Sequence, residues 1–291
     1  MVKTTLVTVA DDRFGWKGGK YSKTQDKINA LFKNNPWFGI DEFKSWKWHH
    51  LIQTEFYRSN KLMLDNPNPA MNGRAYKAFV IWDALKESQD GDFVIYVDTS
   101  PEMWFPFSYT SIIDSSKYDL NIAKNLCVNN NGILTVHVKW DGSKHLKKGD
   151  IGKHTHANFT LDRCIRIMDC WQYRNSLQHA SGMIVIQKSK QTMEFGEQWY
   201  FYNQNPECAA LGPPTLDPTQ YNNMTYWVEE DKNKIGHRHD QSISGLLVNK
   251  MCNNLVEIPD DTNGLHPYNL LNFCKKLETY TFVNSNAVEK S

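Results

Sequence analysis

The chain has 291 residues, of which 40% are hydrophobic and 22% charged, an ordinary globular composition that allows one large α/β domain or two smaller ones. Its formal net charge of +1, without a long basic run, gives no support to a nucleic-acid or anionic-membrane partner. The first apolar run is too short for a signal peptide, and no window approaches the length of a membrane span, so we expect a cytoplasmic protein.

Hydrophobic periodicity predicts strands that alternate with helices along most of the chain. The first predicted strand is Thr4–Ala10, and the loop after it begins with Asp11 and Asp12. The later predicted elements are, in order, a helix over Ser22–Asn34, an aromatic strand within Phe43–Ile52, a helix over Arg74–Ser88, strands over Phe93–Val97 and Gly132–Val138, a helix over Thr160–Trp171, a strand over Gly182–Gln187, and helices over Ser189–Tyr202, Asp240–Met251 and His266–Leu277. This order favours a single α/β domain over residues 1–291, with a mixed, mainly parallel central sheet flanked by helices.

A carboxylate stands at the end of the predicted strand Phe93–Val97. Open α/β sheets bind their ligands at the carboxyl ends of their strands, where Asp98 is expected to lie. There it is a candidate ligand for Mg²⁺ or Mn²⁺, which prefer oxygen donors and commonly join carboxylates to phosphate oxygens. An Asp that only begins a turn is the alternative, and the spacing leaves both explanations open.

Two basic side chains, Arg74 and Lys77, lie one turn apart at the start of a predicted helix. Cations at this end oppose the helix dipole, so their placement indicates a nearby anion such as the diphosphate of a nucleotide. Solvated surface charge is the alternative explanation.

A second polar segment, His237–Ser242, runs directly into a predicted helix. Asp240 fits the N-cap of that helix, and as a functional residue it would accept the proton of an attacking hydroxyl or hold a sugar in position. Gln178 precedes a predicted strand and is a candidate for binding hydroxyl groups, whereas His266 is a candidate metal or phosphate ligand. Each of these residues, taken singly, also has a structural explanation.

Together these segments resemble a group of small GT-A-type glycosyltransferases that includes proteins of large algal viruses (chloroviruses). The resemblance rests on three blocks, which are Arg74–Ser100, Gln178–Gln187 and Arg238–Ser242. The first block has a Lys-bearing helix, an acidic-glycine turn and a strand ending in Tyr-x-Asp. In outline the resemblance covers about residues 1–280, and it implies a GT-A-like fold, a nucleotide-sugar donor, a glycan acceptor and a divalent cation, Mn²⁺ or Mg²⁺.

The resemblance also implies roles for individual residues. The loop from Asp11 to Phe14 would lie near the base and ribose, and Asp240 would be the catalytic residue. The donor would be bound by Asp11, Asp12, Arg74, Lys77 and Asp98, the reacting sugars by Gln178, Arg238, His239 and Gln241, and the metal by Asp98 within the motif that ends at Ser100. His266 is our own candidate for a second metal ligand. One departure concerns the usual DxD metal motif, which here is Asp98-Thr99-Ser100 with a single carboxylate, so the need for a metal stays open.

We therefore expect a glycosyltransferase that moves a monosaccharide, such as xylose or a hexose, from a nucleotide-diphosphate sugar to a hydroxyl of a glycan acceptor. A UDP-linked donor is the first expectation. A non-catalytic glycan-binding protein and a metal-dependent phosphohydrolase are the alternatives, although the second would need a denser carboxylate cluster. The leading interpretation requires that Asp98 and Asp240 lie beside one shared cleft.

Overall fold

The structure is a computed structural model that describes residues 2–14, 20–66, 72, 74–99, 115–135, 155–209, 237–252, 254–257, 274 and 281–284. A five-stranded sheet lies at its centre, with the strand order β2-β1-β3-β5-β4. The strands are β1 (Thr4–Ala10), β2 (Glu42–Lys47), β3 (Phe93–Val97), β4 (Ile133–Leu134) and β5 (Met183–Gln187), and a separate antiparallel pair consists of β6 (Asn254–Glu257) and β7 (Thr281–Asn284). Ser100, His266 and most of the predicted helix His266–Leu277 lie outside the described residues.

Helices of very different lengths connect and cover these strands. The described α-helices are α1 (Tyr21–Asn34), α2 (Trp48–Leu51), α3 (Glu55–Ser59), α4 (Lys61–Leu64), α5 (Tyr76–Glu87), α6 (Leu120–Asn129), α7 (His156–Phe159), α8 (Asp162–Ile167), α9 (Lys190–Asn203), α10 (Pro206–Ala209) and α11 (Asp240–Met251). Within the described ranges, no helix combines the length and the apolar character that a membrane span requires.

The central sheet is mixed, and the expectation of a mainly parallel sheet is wrong. Strand β1 pairs in parallel with both β2 and β3, but β5 runs antiparallel to β3 and to β4. The sequence Met183–Gln187 is apolar at four successive positions and buried on both faces. Such a pattern identifies a central strand without indicating its direction, which is set by the edge at which the chain enters the sheet.

Alternating side chains of the strands build two apolar cores, one on each face of the sheet. Val94 and Tyr96 of β3 belong to the larger core, which is covered mainly by α5, α9 and α11. Phe93, Ile95 and Val97 belong to the other core, which contains α1 and α6. Helices therefore cover both faces of the sheet, and the two helices that carry Lys77 and Asp240 lie on the same face.

Helix α11 packs very closely against the chain beside it, at Gly245. A Cβ atom at this position would lie 2.9 Å from Cε1 of His156 and 3.2 Å from the backbone nitrogen of His179. Both histidine rings are fully buried, so a larger residue would displace well-packed groups. The glycine therefore fixes the depth of α11 in the core, and with it the position of Asp240 at its first turn.

Several predicted boundaries are confirmed, and the differences have local causes. Strands β1 and β3 and helix α11 have the predicted bounds. The helix predicted from Arg74 begins at Tyr76, because Arg74 adopts a left-handed backbone with φ 50°. The strand predicted over Gly132–Val138 is described only as Ile133–Leu134. The helix predicted over Thr160–Trp171 is reduced to Asp162–Ile167.

Candidate functional site

Polar side chains gather at the edge of the sheet where the parallel strands β1 and β3 end. Asp11 follows β1 directly and Asp98 follows β3 directly, and both are buried. The first turn of α5 brings Lys77 to the same edge. This is the edge at which open α/β sheets bind ligands.

The Lys77 ammonium group joins the two carboxylates that the sequence analysis singled out. Its Nζ atom lies 2.8 Å from Oδ2 of Asp240 and 3.5 Å from Oδ2 of Asp98. Lys77 and Asp240 are each 3% exposed and Asp98 is 7% exposed. Their charges are therefore stabilised by one another rather than by water. Asp98 and Asp240 therefore meet at Lys77, whereas the expectation that both lie beside one shared cleft stays a prediction, because Asp98 lines the cavity described below and Asp240 does not.

A fourth member of this cluster, Ser181, was not found from the sequence. Its hydroxyl donates a hydrogen bond to Oδ2 of Asp240 at 2.7 Å and accepts one from Nζ of Lys77 at 3.2 Å. Ser181 stands just before β5, in a segment with no distinctive motif. The direction of β5, which enters the sheet at this edge, is what brings Ser181 into the site.

The carboxylate of Asp240 does not cap α11. Asp240 is the first residue of the helix, His239 occupies the N-cap position, and no side-chain cap hydrogen bond is formed. The structural explanation offered for Asp240 is therefore wrong, and its carboxylate instead receives Lys77 and Ser181. The indole N–H of Trp199 donates a hydrogen bond to the backbone oxygen of Asp240 at 3.2 Å and helps to hold Asp240 in place.

A small, partly open cavity of about 20 Å³ lies beside this cluster. The described residues that line it are Val9, Asp11, Tyr21, Arg74, Tyr76, Lys77, Tyr96 and Asp98. This volume holds about one water molecule, so a larger ligand would extend out of the cavity or displace some of its lining side chains. The cavity thus combines two cationic side chains, two carboxylates and three tyrosines at the ligand-binding edge of the sheet.

Arg74 brings a second positive charge to the cavity from a strained backbone position. The backbone N–H of Arg74 donates a hydrogen bond to Oδ1 of Asn72 at 2.9 Å, and this contact stabilises its left-handed φ. Burial, the largest single effect, lowers the pKa of the guanidinium. Nearby acidic groups together outweigh burial and hold the pKa above its usual value; these groups are Tyr76, Tyr21, Asp98 and Asp240. Within the described part of the chain, the guanidinium forms neither an ion pair nor a side-chain hydrogen bond, which suits it to bind an anionic ligand.

The hydroxyls of Tyr76 and Tyr96 also belong to the cavity. Burial, and then the negative charges nearby, raise the pKa of each phenol well above its usual value, so both stay neutral at physiological pH. Neither hydroxyl forms a hydrogen bond with another described residue. Both are therefore suited to donate a hydrogen bond to a bound ligand.

The first residues after β1, Asp11 to Arg13, are held by hydrogen bonds and by a ring contact. Arg13 binds Asp11 through two hydrogen bonds of 2.9 and 2.7 Å, and its guanidinium stacks on the Trp48 ring at 3.1 Å from the centroid. Asp12 instead accepts hydrogen bonds from the backbone and the hydroxyl of Ser22 at 2.8 and 2.5 Å, at the start of α1. Asp11 therefore lines the cavity, whereas Asp12 is engaged in holding α1.

The predicted sugar-binding residues before and after the start of α11 lie in a hydrogen-bonded network. The amide nitrogen of Gln178 donates to the Phe159 oxygen at 3.0 Å and to the Ser242 hydroxyl at 3.2 Å, and Gln241 donates to Oε1 of Gln178 at 3.2 Å. The Arg238 backbone N–H donates to the Ser242 hydroxyl at 3.1 Å. These contacts fix the start of α11, and the sugar-binding roles of these residues stay predictions.

His239, directly before Asp240, also has a strained backbone, with φ 53°. Its Nδ1 atom lies 3.0 Å from the backbone oxygen of Ala209, so Nδ1 carries the proton and donates. Burial, as the largest effect, lowers the pKa of His239 to about 4 although the Ala209 oxygen and Asp240 act to raise it. The imidazole is therefore neutral at physiological pH.

The metal implied by the resemblance does not fit the residues that the structure describes. Within them, no group of three or more His, Cys, Asp or Glu side chains is arranged to hold a metal ion. Asp98, the one described member of the predicted ligand set, already faces the ammonium of Lys77. A divalent cation bound to Asp98 would be repelled by this ammonium, whose Nζ atom lies 3.5 Å from the same carboxylate. The other two predicted ligands, Ser100 and His266, lie outside the described residues, and metal binding stays a prediction.

Comparisons with known proteins add no family to this description. No protein-family model, curated protein or solved structure matches the chain.

Proposed function

We propose that this protein is a glycosyltransferase that moves a monosaccharide from a nucleotide-diphosphate sugar to a hydroxyl of a glycan acceptor. The observation that carries the proposal is the meeting of Asp98 and Asp240 at Lys77, beside a cavity at the carboxyl edge of the sheet. These residues come from two separate blocks of the resemblance to small GT-A-type glycosyltransferases. Their meeting is what a shared donor and acceptor site requires.

The charges around the cavity suit an anionic donor with a polar sugar. Arg74 and Lys77 would bind the diphosphate, because both cations line the cavity and the Arg74 guanidinium has a planar set of donors that matches phosphate oxygens. The neutral hydroxyls of Tyr76 and Tyr96 would donate hydrogen bonds to the donor. Asp11, which Arg13 holds in place, would lie near the ribose of a UDP-linked donor.

Asp240 would act on the acceptor hydroxyl. Its Oδ2 atom receives Lys77 and Ser181, while Oδ1 forms no hydrogen bond with the described residues. One carboxylate oxygen is therefore left to accept the proton of an attacking hydroxyl. Lys77 would balance the negative charge of Asp240 and Asp98 before the donor binds.

The first test separates a transferase from a glycan-binding protein by measuring thermal unfolding with UDP, with GDP and with free sugars. A transferase should be stabilised by one of the nucleotides, by about 2.7 kcal/mol at a concentration a hundredfold above the dissociation constant. Stabilisation by sugars alone would support the glycan-binding alternative and refute the proposal.

The second test is the Asp240→Asn variant, assayed for transfer from the UDP-sugar that the wild type uses. Loss of the proton acceptor should lower kcat at least a hundredfold, in the range typical of a general base. The dissociation constant of UDP should change less than threefold, because the cations that bind the diphosphate are retained. A variant with wild-type kcat would show that the Asp240 carboxylate has no part in the reaction.

A further inference from the structure

Ser181 occupies a position that the proposed chemistry leaves unexplained. Its side chain is buried, and both of its hydrogen-bond partners, Lys77 and Asp240, are charged. A serine that serves only to fill space in a core more often bonds to a nearby backbone oxygen. Ser244 on α11 does this, since its hydroxyl donates to the Gln241 oxygen at 3.3 Å.

The partners of Ser181 leave its hydroxyl only one orientation. An ammonium group has donors and no acceptor, so the Ser181 oxygen must accept from Lys77. The single hydroxyl proton is then directed to Asp240, at a distance of 2.7 Å. Ser181 therefore gives Oδ2 of Asp240 its second hydrogen bond and fixes which oxygen faces Lys77.

The backbone makes this placement reproducible. The N–H of Asp98 donates to the oxygen of Gly182 at 2.7 Å, and the next residue, Met183, pairs with Val97 in the sheet. Ser181 is thus held at the start of a paired strand rather than in a free loop. The same pairing fixes the backbone of Ser181 relative to that of Asp98.

We propose that Ser181 is a positioning residue of the active site: its hydroxyl holds Oδ2 of Asp240 against Lys77, so that Oδ1 is the oxygen presented to the acceptor hydroxyl. This proposal rests on the proposed glycosyltransferase function. Ser181 acts through Asp240 and does not itself contact the substrate.

The experiment measures kcat and the donor KM of the full chain for transfer, or for slow donor hydrolysis. The donor is the one of UDP-xylose, UDP-glucose and UDP-galactose that the wild type uses. Ser181→Ala should lower kcat about tenfold, which corresponds to one hydrogen bond to a charged group, and should change the donor KM less than twofold. Ser181→Thr keeps the hydroxyl and should restore most of kcat. Ser244→Ala, a matched loss of a buried hydroxyl on α11, should keep kcat within twofold of the wild type.

A double variant distinguishes positioning from a merely structural role. If Ser181 acts through the Asp240 carboxylate, Ser181→Ala combined with Asp240→Asn should be no slower than Asp240→Asn alone. A further tenfold loss in the double variant, or a wild-type kcat in Ser181→Ala, would overturn the proposal while the proposed function stands. If Ser181→Ala does not fold, Ser181→Cys takes its place, because the weaker thiol donor should give an intermediate kcat. A wild type that turns over no nucleotide sugar would remove the proposed function, and this inference with it.

Discussion

Replacing Lys77 by Met should lower the free energy of unfolding by about 3–5 kcal/mol at neutral pH. Met has nearly the same length, so the main change is the loss of the ammonium group between Asp98 and Asp240. All three side chains are at most 10% exposed, and water cannot replace the lost partner. The expected magnitude is the one found when a buried ion pair loses one partner and leaves an uncompensated charge.

The measurement is urea-induced unfolding followed by tryptophan fluorescence, with the free energy extrapolated to zero urea. Lys86→Met is the matched control, since Lys86 lies on the same helix but is 40% exposed, and its ion pair with Asp83 should contribute less than about 1 kcal/mol. Adding Asp240→Asn to Lys77→Met removes one of the unpaired charges and should recover about 1–3 kcal/mol. Equal losses in Lys77→Met and Lys86→Met, or a double variant less stable than Lys77→Met, would refute the reasoning.

Two further predictions concern the neighbourhood of Asp240. The His239 ring should give constant proton chemical shifts in NMR from pH 8 to about pH 5.5 and titrate near pH 4, because burial favours its neutral form. The pKa of His239 in the folded protein lies below the usual 6.5, so the contribution of the neutral ring to the free energy of unfolding is full above pH 6.5 and declines as the pH falls toward 4. A ring that titrates near pH 6.5 would contradict this prediction. Gly245→Ala should destabilise the protein by about 1–3 kcal/mol in urea unfolding, since the added Cβ meets His156 and the His179 backbone, and this exceeds the gain of about 1 kcal/mol in helix propensity. Unchanged stability would mean that α11 can move away.

Elements with a strong local pattern could be predicted from the sequence. The β-branched run Thr4–Ala10 and the apolar run Phe93–Val97 are strands with the predicted bounds, and the charged residue after each lies at the expected edge. The proximity of Asp98 and Asp240 was also accessible, because a strand end and a polar segment before a helix both pointed to one site. The ion pairs of Lys77 with these two carboxylates were not predicted, since Lys77 was assigned to a diphosphate.

The remaining features depend on contacts that no local pattern encodes. The direction of β5 could not be predicted, because a strand buried on both faces reads the same in either direction. Ser181 was missed for the same reason, since its place in the site follows from that direction. The left-handed backbone of Arg74 was missed as well, because an Arg three residues before a Lys fits a regular helix, and only the Asn72 contact shows otherwise.

The reversed direction of β5 has a consequence for refolding. Side chains alternate in a strand, so a slip of one position between β3 and β5 would keep apolar residues in the sheet but rotate Ser181 to the far face. Such a misaligned molecule would be compact and nearly native in secondary structure, yet it would lack the hydroxyl beside Asp240. If the proposed transferase function holds, the activity regained after dilution from urea, compared with the regained circular dichroism, would therefore measure the fraction of molecules that aligned these two strands correctly.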